Sequence, residues 1–145
     1  MQVTKSIDDD HARPEGVNDD LVAAVGKLTE ALERVERARG HIYEFHQLIG
    51  GADEKVGQAA NRLEEAGEAE WADRLRTEMI GRNVLQGRWT FQLLEEFDDG
   101  YYSDIVQIER AARDDLMAGR RHVYEGEMKE RARTPGRKGH EATPS

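Results

Sequence analysis

The chain has 145 residues, of which 35% are charged and 37% hydrophobic, and its formal net charge is −9. This length predicts a single domain, and the acidic balance disfavours nucleic acid or an anionic membrane as the main partner. The absence of cysteine excludes disulfides, thiol nucleophiles and Cys-ligated metal centres. The sequence has neither a run of ~20 apolar residues nor the features of a signal peptide, so we expect a cytoplasmic protein.

The beginning of the chain lacks any apolar periodicity. We interpret residues 1–17, which include Pro14, as a disordered acidic arm. Asn18 is a residue type that caps helix N-termini, and the carboxylates of Asp19 and Asp20 suit the positive end of a helix dipole. These residues predict that a helix begins at residue 18.

This first helix carries the longest amphipathic pattern in the chain. Nine residues spaced four and three apart form a helical seam of the kind seen in bundles and coiled coils. They are Leu21, Val25, Leu28, Leu32, Val35, Arg39, Ile42, His46 and Ile49. The same face is widened by Ala24, Ala31, Ala38 and Phe45. Gly50 and Gly51 then predict the end of the helix.

Two shorter helices are predicted next. The first begins near Ala52 and ends at Gly67, and the second ends at Gly81. The phase of the apolar residues shifts at Gly67, which favours a break there, and a single helix kinked at Gly67 is the alternative.

The last long helix is predicted from Asn83, because Asn83 and Gln86 have the spacing of a capping box. Its apolar stripe keeps helical phase through Gly100, so we expect one helix, bent at Gly100, that ends near Gly119. The stripe consists of Phe91, Leu94, Phe97, Tyr101, Ile105, Ile108, Ala112 and Leu116.

Together these elements predict an all-α fold. Helices of similar length joined by short turns pack antiparallel, so we expect an elongated antiparallel bundle of three long legs, with the middle leg broken at Gly67. The bundle domain would span residues 18–119, followed by a basic, largely disordered tail over residues 120–145. Residues 120–133 could form a short helix within that tail. Apolar residues on more than one face of the last helix favour self-association.

Arg39 and His46 are the two polar residues of the seam, and they point the same way because they lie two turns apart. Buried polar groups require partners, which we expect from the acidic and aromatic stretch over residues 95–102. The predicted polar core site consists of Arg39, His46, Glu95, Asp98 and Tyr101. Three interpretations are open: a structural ion pair that fixes register, which we favour, a partner-binding interface, or a small-molecule or catalytic site.

No metal or cofactor is expected. His41 and His46 point roughly 140° apart on a helix, which disfavours a metal site shared with Glu44, and the face that His41 and Glu44 share is the outer one. The chain has no Glu-x-x-His, no His-Glu-x-x-His, no phosphate-binding loop and no Gly-x-Ser-x-Gly. Five of the nine aromatic residues lie between Trp89 and Tyr102, where they form either the core or a surface of binding anchors.

Two segments resemble parts of small, uncharacterised helical proteins of high-GC Gram-positive bacteria. They are ARGHIYEFHQLIGGAD over residues 38–53 and GRNVLQGRWTFQLLEEFDDGYY over residues 81–102, within a resemblance that extends over residues 21–133. That group has no assigned activity, so the resemblance implies no functional residue. Separately, the spacing from Arg39 to His46 is similar to the Arg-x4–6-His motif of HEPN-type helical ribonucleases, which carry it near their last helices.

The function that these features favour is protein–protein contact by a non-enzymatic helical bundle. The partner would be another protein or a further copy of the chain, giving a homo-oligomer, and neither nucleic acid nor a membrane is expected. The alternative is a small-molecule-binding or HEPN-like nuclease site around Arg39 and His46. We assign no catalytic residue.

Overall fold

The computed structural model describes residues 8–143 and is all-α, which confirms the predicted fold class. Its elements are α1 (Asp19–Glu65), α2 (Ala69–Glu78), α3 (Thr90–Phe97), a π-helical turn (Asp98–Tyr102), α4 (Ser103–Met117) and α5 (Val123–Ala132). Within the described residues the only β-type pairing is an isolated bridge between Leu85 and Arg88. The ends of the predicted arm and tail, residues 1–7 and 144–145, lie outside the described residues.

The described chain forms two compact units, and the bundle domain expected over residues 18–119 stays a prediction. Unit 1 contains the residues up to Arg34 and those from Ser103 onward, and unit 2 comprises Val35–Tyr102. Helix α1 contributes to both. The sequence pattern did not distinguish the units, because the same seam continues along α1 from one to the other.

The predicted helix end at Gly50 and Gly51 is wrong, since both glycines lie inside α1 and neither has a positive φ. A glycine costs about 1 kcal/mol relative to alanine in a helix interior, which tertiary packing readily offsets. The seam of α1 packs against its neighbours beyond the glycines as well, because its four–three spacing continues after Ile49. Its next positions are Asp53, Val56, Ala60 and Leu63. Three of these four are half-buried or buried, and Ala60 is completely buried.

The buried face of α1 is narrower than predicted. Every predicted seam residue from Leu21 to Ile49 is at least half-buried, whereas the four residues expected to widen the face are exposed. Those four are Ala24, Ala31, Ala38 and Phe45. In each unit, therefore, α1 packs against its neighbours through the seam residues alone, and not through a broad apolar face.

The predicted break at Gly67 is confirmed. Gly67 has φ +85°, its N–H donates to the Glu64 carbonyl at 3.1 Å, and the N–H of Glu68 donates to the Leu63 carbonyl at 2.8 Å. This pattern is a Schellman motif with glycine in the left-handed position, which satisfies carbonyls that the helix end leaves unpaired. The chain then runs back antiparallel to α1, since Arg76 of α2 donates to Asn61 at 2.8 Å and the later N–H of Gly81 donates to the earlier Asp53 at 3.3 Å.

The predicted helix start at Asn83 is wrong, because residues 79–89 form a loop and α3 begins at Thr90. Gly87, with φ +80°, allows the tight turn that closes the bridge between Leu85 and Arg88. The helix start is capped by Gln92, whose side-chain oxygen accepts the N–H of Trp89 at 2.9 Å. The capping pair is thus Trp89 and Gln92, six residues beyond the expected pair of Asn83 and Gln86.

The bend expected at Gly100 is a π-helical turn, Asp98–Tyr102, between α3 and α4. A π turn holds one residue more than an α turn, so the helical face shifts by about one residue beyond it. Tyr101 and Ile108, both predicted in the apolar stripe, are therefore 63% and 61% exposed. Tyr102, which is half-buried, and Glu109, which is 5% exposed, face inward, while Ile105, Ala112 and Leu116 of the predicted stripe are also half-buried.

The core of unit 1 joins α5 to α1 and α4. Its buried side chains are Val22, Val25, Met117 and Val123. Val123 begins α5, so the short helix considered for residues 120–133 is present. Burial of Val123 is the physical reason, because it attaches α5 to the apolar cluster.

Residues 8–17, predicted as part of the disordered arm, also make specific contacts in unit 1. Arg13 pairs with Glu127 of α5 at 2.6 Å and with Asp19 at 2.8 Å. Arg120 donates to the carbonyl of Ala12 at 2.7 Å. These contacts join segments far apart in sequence, which apolar periodicity does not report.

A buried polar network crosses unit 1 at Glu109. The carboxylate oxygen Oε1 of Glu109 accepts hydrogen bonds from Arg113 at 3.0 Å and from Thr29 of α1 at 3.2 Å. Arg113 also donates to the carbonyl of Gly119 at 2.9 Å. The side chains of Glu109 and Arg113 are 6% and 13% exposed, so this pair is stable only because its hydrogen-bonding groups have partners.

The continuity of α1 can be tested by replacing its glycines. Gly51→Ala should raise the free energy of unfolding by about 0.5–1 kcal/mol, because Gly51 is helical and nothing lies within 4 Å of an added Cβ. Gly67→Ala should lower it by about 1 kcal/mol, because the left-handed conformation strains any Cβ. Urea denaturation measures both changes, and a destabilised Gly51→Ala protein would mean that the helix ends at Gly50 and Gly51.

Candidate functional site

The predicted pairing between Arg39 and the acidic stretch is present in unit 2. Arg39 in the seam of α1 donates from Nε to Asp98 Oδ1 at 2.7 Å and from Nη2 to Asp98 Oδ2 at 3.0 Å. The two parallel bonds form the bidentate geometry that is strong and orientation-specific. Both side chains are about one-third exposed, at 33% and 30%, so the pair is partly shielded from water.

The guanidinium group of Arg39 is also flanked by aromatic rings. Its Cζ atom lies 5.6 Å from the ring centre of Tyr43 and 5.4 Å from that of Tyr102. Both distances are within the range of a cation–π interaction. Phe97 stacks on Tyr102 with ring centres 6.1 Å apart, which extends the aromatic cluster along α3 and the π turn. Arg39 is thus held by a carboxylate and by two rings.

The charges of this pair are fixed at neutral pH. The hydrogen bonds from Arg39 lower the pKa of the Asp98 carboxyl below its ordinary value of 3.8, and partial desolvation opposes the effect. The hydrogen bonds to Asp98 raise the pKa of the Arg39 guanidinium, again against desolvation. A carboxylate kept ionised and a guanidinium kept protonated stabilise an ion pair and do not exchange protons near pH 7.

The second polar seam residue, His46, has a partner of its own. Its Nδ1 lies 2.7 Å from the hydroxyl oxygen of Thr90, the first residue of α3. Its ring meets Phe91 edge-on, with ring centres 6.4 Å apart. His46 and Arg39 lie on α1 about 10 Å apart along the helix axis. His46 contacts the first residue of α3, whereas Arg39 contacts the π turn that follows α3. The two contacts together fix the antiparallel register between α1 and the segment formed by α3 and the π turn.

The structure does not bring all of the predicted site residues together. Glu95 is exposed and its side chain makes no hydrogen bond or ion pair among residues 8–143, and Tyr101 is 63% exposed. Sequence reasoning missed Tyr43, Thr90 and Tyr102. Tyr43 lies one turn beyond Arg39 on the same helix, a spacing that brings side chains together and could have revealed it. Thr90 and Tyr102 had no comparable signal, because the helix start and the π turn determine their positions.

A second feature of unit 2 is an apolar groove beside these pairs. It has a volume of about 300 Å³. Its lining residues are Ile49, Ala52, Asp53, Val56, Met79, Arg82, Asn83 and Val84. A further hollow of about 350 Å³ shares Arg82, Asn83 and Val84 with it and extends to Trp89, Thr90 and Phe91. We call these two connected hollows the Val84 groove.

Large apolar side chains of the Val84 groove are open to solvent. Trp89 is 59% exposed, Val84 49%, Met79 47% and Phe91 39%. The buried core of unit 2, in contrast, consists of two alanines, Ala60 and Ala72. Unit 2 thus leaves its largest apolar side chains at the surface, and clustered apolar groups of this kind mark interaction surfaces.

Two charged residues line the groove, Asp53 from α1 and Arg82 from the loop after α2. Asp53 accepts the backbone N–H of Gly81 at 3.3 Å. The side chain of Arg82 makes no hydrogen bond or ion pair with any other residue of the described chain. The groove therefore offers apolar contact together with one acid and one base.

Comparison of the chain with protein families, curated proteins and solved structures finds no match. Across residues 8–143, no group of three or more His, Cys, Asp and Glu side chains is placed to hold a metal ion. No helix in that part of the chain combines the length and apolar character needed for a bilayer crossing.

The Asp98 pair predicts a specific pH dependence of stability. The pKa of Asp98 is lower in the folded state than its ordinary value of 3.8. The ionised carboxylate therefore adds to the free energy of unfolding in full above pH 3.8, and this stabilisation is lost as the pH falls through the folded-state pKa. Asp98→Asn should therefore melt at a lower temperature than wild type at pH 7, and the difference should shrink between pH 4 and pH 2. Thermal melts monitored by circular dichroism measure this difference.

The matched control is Asp99→Asn, because Asp99 is exposed and has no ion pair among the described residues. This variant should melt like wild type at every pH. A difference between Asp98→Asn and wild type that does not change with pH would contradict the assignment.

Proposed function

We propose that the protein is a non-enzymatic helical module that acts through protein–protein contact, and that the Val84 groove is its contact surface. The observation that carries the proposal is the exposure of Trp89, Val84 and Met79 around one groove. Solvent-exposed aromatic and aliphatic side chains in a concave surface are the typical anchors of an interface. The homo-oligomer expected from the sequence is one form of such contact.

The arrangement of Arg39 and His46 supports a structural role for them rather than a small-molecule or nuclease site. A catalytic pair needs both side chains to converge on one reacting atom. Here the guanidinium is occupied by Asp98 and the imidazole bonds Thr90, at points separated by two turns of α1. These polar groups fix the register of α3 and the π turn along α1. The Val84 groove is therefore the better candidate for a binding surface.

We also propose that the chain is related to the small helical proteins of high-GC Gram-positive bacteria that residues 38–53 and 81–102 resemble, a relationship that assigns no functional residue. A cytoplasmic setting is part of the proposal and is supported by the acidic, cysteine-free composition.

A photo-crosslinking amino acid placed in the groove tests the proposal. Incorporated at Val84, it should link the protein to a specific protein in cells that produce the chain, because Val84 lies at the centre of the groove. The crosslinked bands would be read by immunoblot and mass spectrometry.

The matched control is the same amino acid at Gln58, which is exposed on α1 of the same unit but does not line the groove. The control should give no specific band. Absence of a product at Val84, or the same product at both positions, would contradict the groove as a contact surface.

A further inference from the structure

The charges of the Val84 groove restrict what can occupy it. Docking an apolar surface into the groove removes water from Asp53 and Arg82, and a charge that loses water without gaining a partner weakens the complex. Arg82 has no ion pair among the described residues, and Asp53 has only the backbone N–H of Gly81. A favourable occupant must therefore present one base to Asp53 and one acid to Arg82, beside an apolar surface.

A second copy of the chain meets this requirement through symmetry. In a twofold dimer the same patch is used by both copies, so a residue that contacts another across the axis is contacted by it in return. One acid and one base in one groove form a self-complementary pattern. A twofold axis through the groove can place Arg82 of each copy opposite Asp53 of the other, so that both charges are neutralised.

The apolar side chains of the groove are also self-complementary. Val84 and Trp89 are exposed, at 49% and 59%, while Ile49 and Val56 of α1 line the hollow and are half-buried. Insertion of the exposed side chains of one copy into the hollow of the other would bury both sets. The net charge of −9 on each copy opposes association, but charges further apart than about 8 Å are largely screened at physiological salt.

We infer that the Val84 groove is the contact between two copies of this chain, related by a twofold axis, with Arg82 of each copy paired with Asp53 of the other. This inference rests on the proposed function of the groove as a contact surface, and it specifies the partner.

Charge exchange between the two residues tests the inference. The wild-type chain has a mass of 16.4 kDa, so sedimentation equilibrium at micromolar concentration should give about twice this mass. Arg82→Asp leaves two acids in each groove and Asp53→Arg leaves two bases, so each variant alone should dissociate, with a dissociation constant raised about tenfold or more. An equimolar mixture of the two variants should dimerise again, because every acid then faces a base.

Two further variants establish whether loss of the dimer is specific to the groove. Arg37→Asp makes the same change in net charge as Arg82→Asp, at an exposed position of α1 outside the groove, and should dimerise like wild type. Val84→Asp changes a half-exposed side chain at the centre of the groove and should dissociate without loss of helicity. Circular dichroism verifies folding of each variant.

A wild-type chain that remains monomeric at 100 µM would overturn the inference, as would a dimer that neither charge variant disrupts. Either outcome leaves the proposed function open to the separate crosslinking test, in which Val84 would link to a different protein. If the inference is correct, the Val84 crosslink instead joins two copies of this chain.

Discussion

The packing of both units depends on the unbroken four–three seam of α1. From Leu21 to Leu63 the seam residues recur at alternating steps of four and three. This spacing keeps one narrow face of a helix turned toward its neighbours, and burial of that face is the main source of stability. The half-buried polar residues of the seam have partners opposite them, Asp98 for Arg39 and Thr90 for His46, whereas Asp53 is exposed. The polar residues of the seam thus require polar partners at Thr90 of α3 and at Asp98 of the π turn.

Much of this arrangement can be predicted from sequence, because the signals are local. The seam, the positive-φ turn at Gly67 and the need of Arg39 for a carboxylate all follow from spacing and residue type. The structure adds the choice among neighbouring acids: Asp98 pairs with Arg39, while Glu95 is exposed. Helical spacing alone could not make that choice, because it depends on where α3 begins and how the chain turns after it.

The features that escaped prediction share a physical cause, which is competition between local and tertiary preferences. Gly50 and Gly51 favour a helix end locally, but the continuing seam keeps them helical. The π turn at Asp98–Tyr102 adds a residue that no sequence motif indicates, and it places Tyr102 and Glu109 inward instead of Tyr101 and Ile108. The order of residues 8–17 depends on contacts such as that between Arg13 and Glu127, far apart in sequence. The Val84 groove arises in the same way, from a loop that packs beside α1.

The continuity of α1 is the claim on which this account depends most, and amide hydrogen exchange measured residue by residue by NMR tests it directly. If the seam holds one helix from Asp19 to Glu65, the amides of residues 50–55 should exchange at least about tenfold more slowly than in an unstructured peptide. Their protection should be comparable to that of residues 40–45 on the same helix. Exchange of residues 50–55 at the unprotected rate, beside protected neighbours on both sides, would show two helices joined at Gly50 and Gly51 and would contradict the account.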